Sequence, residues 1–236
     1  MGKAKKLKVK KRKNKLEFVK LRGIVEDTHV QEAFEKLQVN IGLASVDEKI
    51  KVIQITSSAQ DEGKSTVAVN LAFSYLNRGF KVLVVDLDLR RPKIHRNFEL
   101  PNENGIVDFA SGKCAKESLI KHTKYGIDVV FSGKKTPYPA KILESEMIHN
   151  LLAEAKEAYD FIILDTPPIS VVVDPILVSK YVDGVLFIVQ ADKTKKSIIK
   201  ESLKTLENAQ ANVLGLVITS VKDKYTKYNY KYYYAE

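Results

Sequence analysis

Apolar residues fall into short, nearly continuous runs separated by longer stretches with helical spacing, and the two alternate from about residue 50 to residue 220. The runs 51–57, 81–86, 127–131, 161–165, 184–190 and 213–220 read as strands. Runs this apolar suit parallel strands buried on both faces. Between them, 64–78, about 140–158 and 195–209 read as helices, the first ending at Gly79. Asp27-Thr28 can cap a further helix running to about Ala44. Repeated strand–helix units predict an α/β fold, a mainly parallel β-sheet with helices on both faces. The runs are spread evenly and hydrophobic residues make up 44% of 236, which predicts one domain with a sizeable core. After Ser220 the pattern dissolves into Lys, Tyr and Asn. The expected organisation is a basic flexible arm over 1–25, a domain over 26–221, and a flexible tail over 222–236.

Charge changes the picture at the ends. The net charge is +10, but residues 1–20 hold ten Lys or Arg and one Glu, so the remaining chain is close to neutral. A basic arm suits an anionic membrane surface, nucleic acid or plain solvation. A peripheral membrane contact is the partner retained, and nucleic acid is not expected. No run approaches the roughly 18 apolar residues of a spanning helix. No apolar segment follows the basic start as in a secretory signal. A lone cysteine, Cys114, excludes an internal disulfide framework and paired-cysteine metal sites. His29, His95, His122 and His149 are scattered without ligand spacing. A cytoplasmic protein is expected.

The chemistry begins after the first strand. Ser58-Ala59-Gln60-Asp61-Glu62-Gly63-Lys64-Ser65 matches the P-loop template except that Ser58 replaces its first glycine, and Thr66 follows. Strand, loop and helix come in the order the mechanism needs: backbone N–H groups of residues 59–66 converge on phosphate oxygens. Lys64 would reach the β- and γ-phosphates and Ser65 would offer a hydroxyl to Mg²⁺. The fold class is thereby narrowed to a P-loop NTPase fold, with ATP and Mg²⁺ as cofactors. Two later strands end in carboxylates. The run 82–90 ends a buried strand in Asp86 and Asp88, whose i, i+2 spacing on an extended backbone points both toward the crevice at the strand's carboxyl end. Residues 161–168 run into Asp165-Thr166-Pro167-Pro168, a Walker B form able to hold Mg²⁺ directly or through water. Each aspartate alone could be a turn residue or a cap; together, beside a P-loop, they point to a nucleotide site.

The tail supplies the acceptor. Six of the eleven tyrosines, Tyr225, Tyr228, Tyr230, Tyr232, Tyr233 and Tyr234, lie in the last twelve residues. Solubilising tails are poor in aromatics. A phosphoryl-transfer site and a string of phenols on one chain suggest that it phosphorylates its own tail. A tail stacking on single-stranded nucleic acid is the competing reading.

Taken together, the P-loop, Asp86-Leu87-Asp88-Leu89-Arg90-Arg91-Pro92 as a Walker A′ motif, Asp165-Thr166-Pro167-Pro168 and the tyrosine cluster resemble the bacterial tyrosine kinase family, in its free-standing cytoplasmic type that regulates capsule and exopolysaccharide synthesis. The resemblance covers roughly residues 26–236. It implies that Lys64 and Ser65 bind ATP–Mg²⁺, that Asp88 and Asp165 organise the metal, and that Asp86 orients or deprotonates the incoming phenol. It also implies an octameric ring with tails phosphorylated in trans, a membrane adaptor of the polysaccharide chain-length type as activator, and a cognate tyrosine phosphatase.

Two departures stand out. Gln60-Asp61 occupies the place of the family's usual Pro-Gly, setting a carboxylate beside the expected triphosphate. In the family's E-x-x-R-x-x-R contact signature Glu32 is kept, but Glu35 and Gln38 replace the arginines. The alternatives are a positioning or partition ATPase, which would place a lysine where this chain has Ala59, and a catalytically weak ATP-sensing regulator.

Overall fold

Successive side chains of an extended strand point to opposite faces, and the strands use both. In the computed structural model, which describes residues 27–44 and 49–221, β1 (Val52–Ser57), β2 (Val82–Asp86) and β5 (Phe161–Asp165) are almost wholly buried. Ile53, Ile55, Val82, Val84 and Ile163 pack into one core. Their neighbours Val52, Leu83, Val85, Ile162 and Leu164 pack into a second core on the other face. Burial on both faces explains why these runs lack polar alternation.

The sheet has seven strands in the order β3-β4-β2-β5-β1-β6-β7, where β3 is Ile120–His122, β4 Asp128–Val130, β6 Gly184–Gln190 and β7 Val213–Thr219. All neighbours pair parallel except β3 with β4. The first core is closed by α1 (Thr28–Ala44) and α2 (Lys64–Asn77), and the second by α6 (Glu146–Ala158). A third, smaller core forms where α8 (Lys196–Asn208) covers β6. The expected α/β architecture is thus observed, with helices on both faces of one sheet.

Three details depart from the sequence expectation. The single helix expected over 140–158 is two, α5 (Pro139–Leu143) and α6, because Ser145 adopts an extended conformation between them. Its hydroxyl donates to the Ile142 carbonyl, while its own carbonyl accepts from the N–H of Ile148. Serine competes with helix in this way. The three-residue edge strand β3 was too short to register as a pattern. So were α3 (Ile94–Asn97), α4 (Ile106–Ala110) and α7 (Asp174–Ser179), although Pro175 in the first turn of α7 is a start signal. The arm over 1–25 and the tail tyrosines lie outside the described residues.

Asp183, in the turn before β6, fixes where β1 begins. One of its oxygens accepts the N–H groups of Lys51 and Val52 at 2.9 and 2.7 Å, and the other accepts Lys156 Nζ at 2.8 Å. Burial pushes its carboxyl up, but Lys156 and the two N–H donors outweigh burial and hold it below the usual range. Asp183→Ala should cost about 2 kcal/mol at pH 7. A depressed folded-state pKa means that this contribution is complete above the unfolded value of about 3.9 and is lost as pH falls through the folded value. Urea unfolding should therefore find wild type and variant converging only below about pH 4.

Candidate active site

Six parallel strands end on one edge of the sheet, and the register there is tight. Asp86, the last residue of β2, pairs with Asp165, the last of β5, and Asp165 is also level with Ile55 on β1. The P-loop leaves β1 two residues later. The motifs read along the sequence are thereby gathered around one cleft of about 550 Å³.

One wall is the P-loop: Gln60, Asp61 and residues 63–66 line the cleft. The helix that follows begins at Lys64, with Gly63 preceding it at φ 95°. A Cβ there would be strained by that φ and would press on the Thr219 side chain at 3.3 Å. Asp61 also lies in the left-handed region, at φ 58°. Aspartate tolerates that region better than most residues, so the loop keeps its shape without the family's glycine.

Glu62 does not face the cleft. It is buried, and its carboxylate accepts the Ala59 N–H at 2.8 Å and the hydroxyls of Ser58 and Thr194. Its carbonyl accepts Thr219 Oγ1 at 2.8 Å. The side chain braces the loop from inside, and its expected place among the nucleotide-binding residues is restricted to its backbone.

A second wall comes from the A′ segment: Asp88, Arg90, Arg91 and Lys93. Asp86 is absent from it. Its carboxylate is fully buried and accepts three backbone N–H groups, from Asp88 at 3.2 Å, Lys93 at 3.1 Å and Ile94 at 3.0 Å. The expectation that Asp86 and Asp88 both face the crevice is corrected here. The strand stops at Asp86, and the chain curls around that carboxylate, so the i, i+2 rule no longer applies beyond it. Asp88 alone opens on the cleft, with one oxygen accepting the Arg91 N–H at 2.9 Å.

Arg90 clasps the fully buried carboxylate of Asp174 through two donors, at 2.8 and 3.1 Å. Arg91 donates to Gln60 at 2.6 Å and Lys93 to Asp61 at 2.5 Å. The hydrogen bond and charge of Lys93 hold the Asp61 carboxyl below its ordinary range. The extra carboxylate that sequence reasoning flagged therefore has a counter-ion. Lys93 was missed because it follows the A′ motif and has no partner within its own segment.

At the floor, burial pushes the Asp165 carboxyl up to about 7, against the opposing effects of Ser65 and Lys64. Asp86 is raised as well, first by burial and then by the charge of Asp165. Lys64 is lowered by burial, with Asp165 and Asp88 opposing. Ser65 Oγ donates to Asp165 Oδ2 at 2.5 Å, while Asp165 Oδ1 is buried with no hydrogen-bond partner. An orphaned carboxylate oxygen beside a hydroxyl and Asp88 fits Mg²⁺, which uses one or two carboxylates plus phosphate and water. Among the described residues no cluster of three or more His, Cys, Asp or Glu could hold a metal by itself.

The remaining wall follows β5: Pro167, Pro168, Val171 and Val172. Gln54, buried in β1, donates to Thr166 Oγ1 and the Pro175 carbonyl, which fixes this loop from below.

On α1, Gln38 turns inward, donating to Ser74 Oγ at 2.6 Å and accepting from Arg78, whereas Glu35 is exposed. At Gln38, a position expected to carry an intersubunit arginine, the side chain instead joins α1 to α2 of its own chain.

Comparison with known proteins agrees with this geometry. Residues 50–218 match the AAA domain family model. The chain is 35% identical over 201 residues to the tyrosine-protein kinase YwqD of Bacillus subtilis, covering 84% of this chain and 85% of that protein. It is 30% identical over 200 residues to the tyrosine-protein kinase CpsD of Streptococcus agalactiae serotype III, covering 84% and 85%. The kinase domain of the Escherichia coli tyrosine kinase ETK superposes with a TM-score of 0.76 at 30% identity, over 81% of this chain and 77% of that one.

The brace inside the P-loop can be tested without any ligand. Glu62→Ala leaves a half-buried N–H and two hydroxyls without their acceptor and should cost about 2 kcal/mol. Urea unfolding should detect this, together with faster amide exchange at Ala59.

Proposed function

The chain belongs to the bacterial tyrosine kinase family, and from that membership we propose that it is an ATP-dependent protein-tyrosine autokinase whose acceptors are its own tail tyrosines, Tyr225 to Tyr234. The observation that carries the proposal is the convergence of Lys64, Ser65 and Asp88 on one cleft, with the buried Asp165 hydrogen-bonded to Ser65 behind it and keeping one orphaned oxygen. Residues 59–66 would cradle the phosphates, Lys64 would neutralise the γ-phosphoryl oxygens, and Ser65 and Asp165 would hold Mg²⁺, with the charge of Asp88 nearby. When bound, Mg²⁺ would offset the charge carried by the phosphate oxygens.

The reaction forms a bond from the phenolic oxygen to the γ-phosphorus and breaks the bond to the bridging oxygen, so that ADP leaves. A phenol titrates near pH 10 and arrives protonated. Asp88, the A′ carboxylate with access to the cleft, is placed to orient the hydroxyl and take its proton. Asp86 holds the turn that presents Asp88. The tail can serve as acceptor: β7 ends at Thr219, hydrogen-bonded to the P-loop, and the fifteen residues 222–236 can span about 50 Å. That reach includes a neighbouring subunit, so transfer in trans within an oligomer is part of the proposal.

By family membership the activity would regulate capsular or exopolysaccharide synthesis, with a membrane adaptor as activator and a phosphatase as its reversal. No described helix is long and apolar enough to cross a membrane. The proposed location is the cytoplasm, held at the membrane face by the adaptor and the basic arm.

With ATP–Mg²⁺ and the adaptor's cytoplasmic peptide, intact-mass measurement should find several added phosphates, all within residues 225–234, and Lys64→Ala should abolish them. ATP turnover without any mass increment would favour a partition-type ATPase. In the same assay Asp88→Asn should remove transfer. A variant Asp86→Asn that binds ATP normally yet transfers nothing would return the role of proton acceptor to Asp86.

A further inference from the structure

The loop after β5 buries Pro167, Pro168 and Ile169 and then reverses its character: Val171 and Val173 are 56% and 55% exposed. Exposed β-branched residues in a loose loop would mean little, but this loop is pinned at both ends. Before the valines, the Ile169 N–H donates to the Ser57 carbonyl at 2.9 Å and the Ser170 hydroxyl to that of Ser58. After them, the buried carboxylate of Asp174 is clasped by Arg90. The valines are therefore held out on a fixed ledge, attached to the P-loop on one side and to the A′ segment on the other. Val171 and Val172 continue the wall of Pro167 and Pro168 in a cleft whose other lining, Gly63 apart, is polar.

We infer that this ledge is the docking surface for the aromatic ring of the acceptor tyrosine. The inference rests on the kinase reading and adds to it the feature that selects a phenol. A serine or threonine hydroxyl sits on Cβ, so its own backbone would have to enter among the phosphates. Tyrosine places a flat apolar ring between backbone and hydroxyl, and that ring needs an apolar wall continuous with the phosphate site. The occupant is at hand, because the tyrosine-rich segment 222–236 leaves the domain next to the P-loop. A second copy of the domain is a poorer fit. Three valines fall far short of the roughly 800 Å² that each partner gives to a stable interface.

The test uses the full chain, a non-hydrolysable ATP analogue with Mg²⁺, and a fluorescent peptide of residues 222–236. Val171→Ser combined with Val172→Ser should weaken peptide binding by about tenfold, the scale on which a few methyl groups discriminate ligands. The peptide KM should rise in step with ATP, while ATP affinity and kcat stay within about twofold. A peptide with every tyrosine replaced by serine should bind weakly and equally to both proteins. Val39→Ser, equally exposed at 53% but on α1, should change nothing. Unchanged peptide affinity in the double variant, or an equal loss of ATP affinity, would overturn the inference. So would loss of self-association in sedimentation with peptide binding intact, which would make the ledge a contact between copies. Wild-type protein that binds the peptide through the ledge yet transfers no phosphate would sink the kinase reading and leave the ledge standing.

Discussion

Two carboxylates in register on neighbouring buried strands, Asp86 and Asp165, are the constraint around which this site is arranged. Like charges taken out of water beside one another are costly, and both groups are pushed toward their protonated forms. The protein answers the two differently. Asp86 receives three backbone N–H groups, and the segment that donates them becomes the turn displaying Asp88, Arg91 and Lys93. Asp165 receives one hydroxyl and keeps one buried oxygen without a partner. A divalent cation would supply a partner for that oxygen. The same repulsion thus shapes the A′ turn and leaves a place for the metal.

The P-loop meets a related difficulty without its usual glycine. Its curvature is maintained by a buried glutamate that gathers an N–H and two hydroxyls, and by an aspartate in the left-handed region. The resulting negative charge at the loop's rim is offset from another segment, by Lys93. A surface pair of this kind adds little to folding stability. Its effect here is on the potential met by an incoming triphosphate, where a cation replaces a bare carboxylate.

Much of this was legible in the sequence, and the lapses share a cause. Strand ends were readable because a strand buried on both faces leaves an apolar run that stops abruptly at Asp86 or Asp165. Periodicity carried the long helices, but it could not see Ser145 interrupting one of them, since a single serine keeps the apolar spacing intact. The i, i+2 argument for Asp86 and Asp88 failed because it assumes an extended chain beyond the strand's last residue. Glu62 was read from its position in a motif, and its inward turn depends on Thr194, which is remote in sequence. Lys93, Thr219 and the valine ledge were missed for the same reason: their roles exist only once the sheet edge brings distant loops together. Asp174-Pro175 was the one available signal for the ledge's far anchor.

Charge then sets an order of events. With the cleft empty, Lys64, Arg91 and Lys93 outnumber Asp61 and Asp88 in its lining while Asp165 and Asp86 are drawn toward neutrality, so on the kinase reading it would have little attraction for a tail that carries four lysines against one aspartate and one glutamate. A bound triphosphate would reverse the local sign and make the same tail an attractive ligand. Each phosphate added to the tail contributes about −1.5 to −2, so two or more overturn its net positive charge and favour departure. The apolar ledge would be indifferent to this cycle, because rings would dock on it by contact rather than by charge. Selection of the phenol and timing of its arrival would thus be carried by separate walls of one cleft, joined through Ser170 and Arg90.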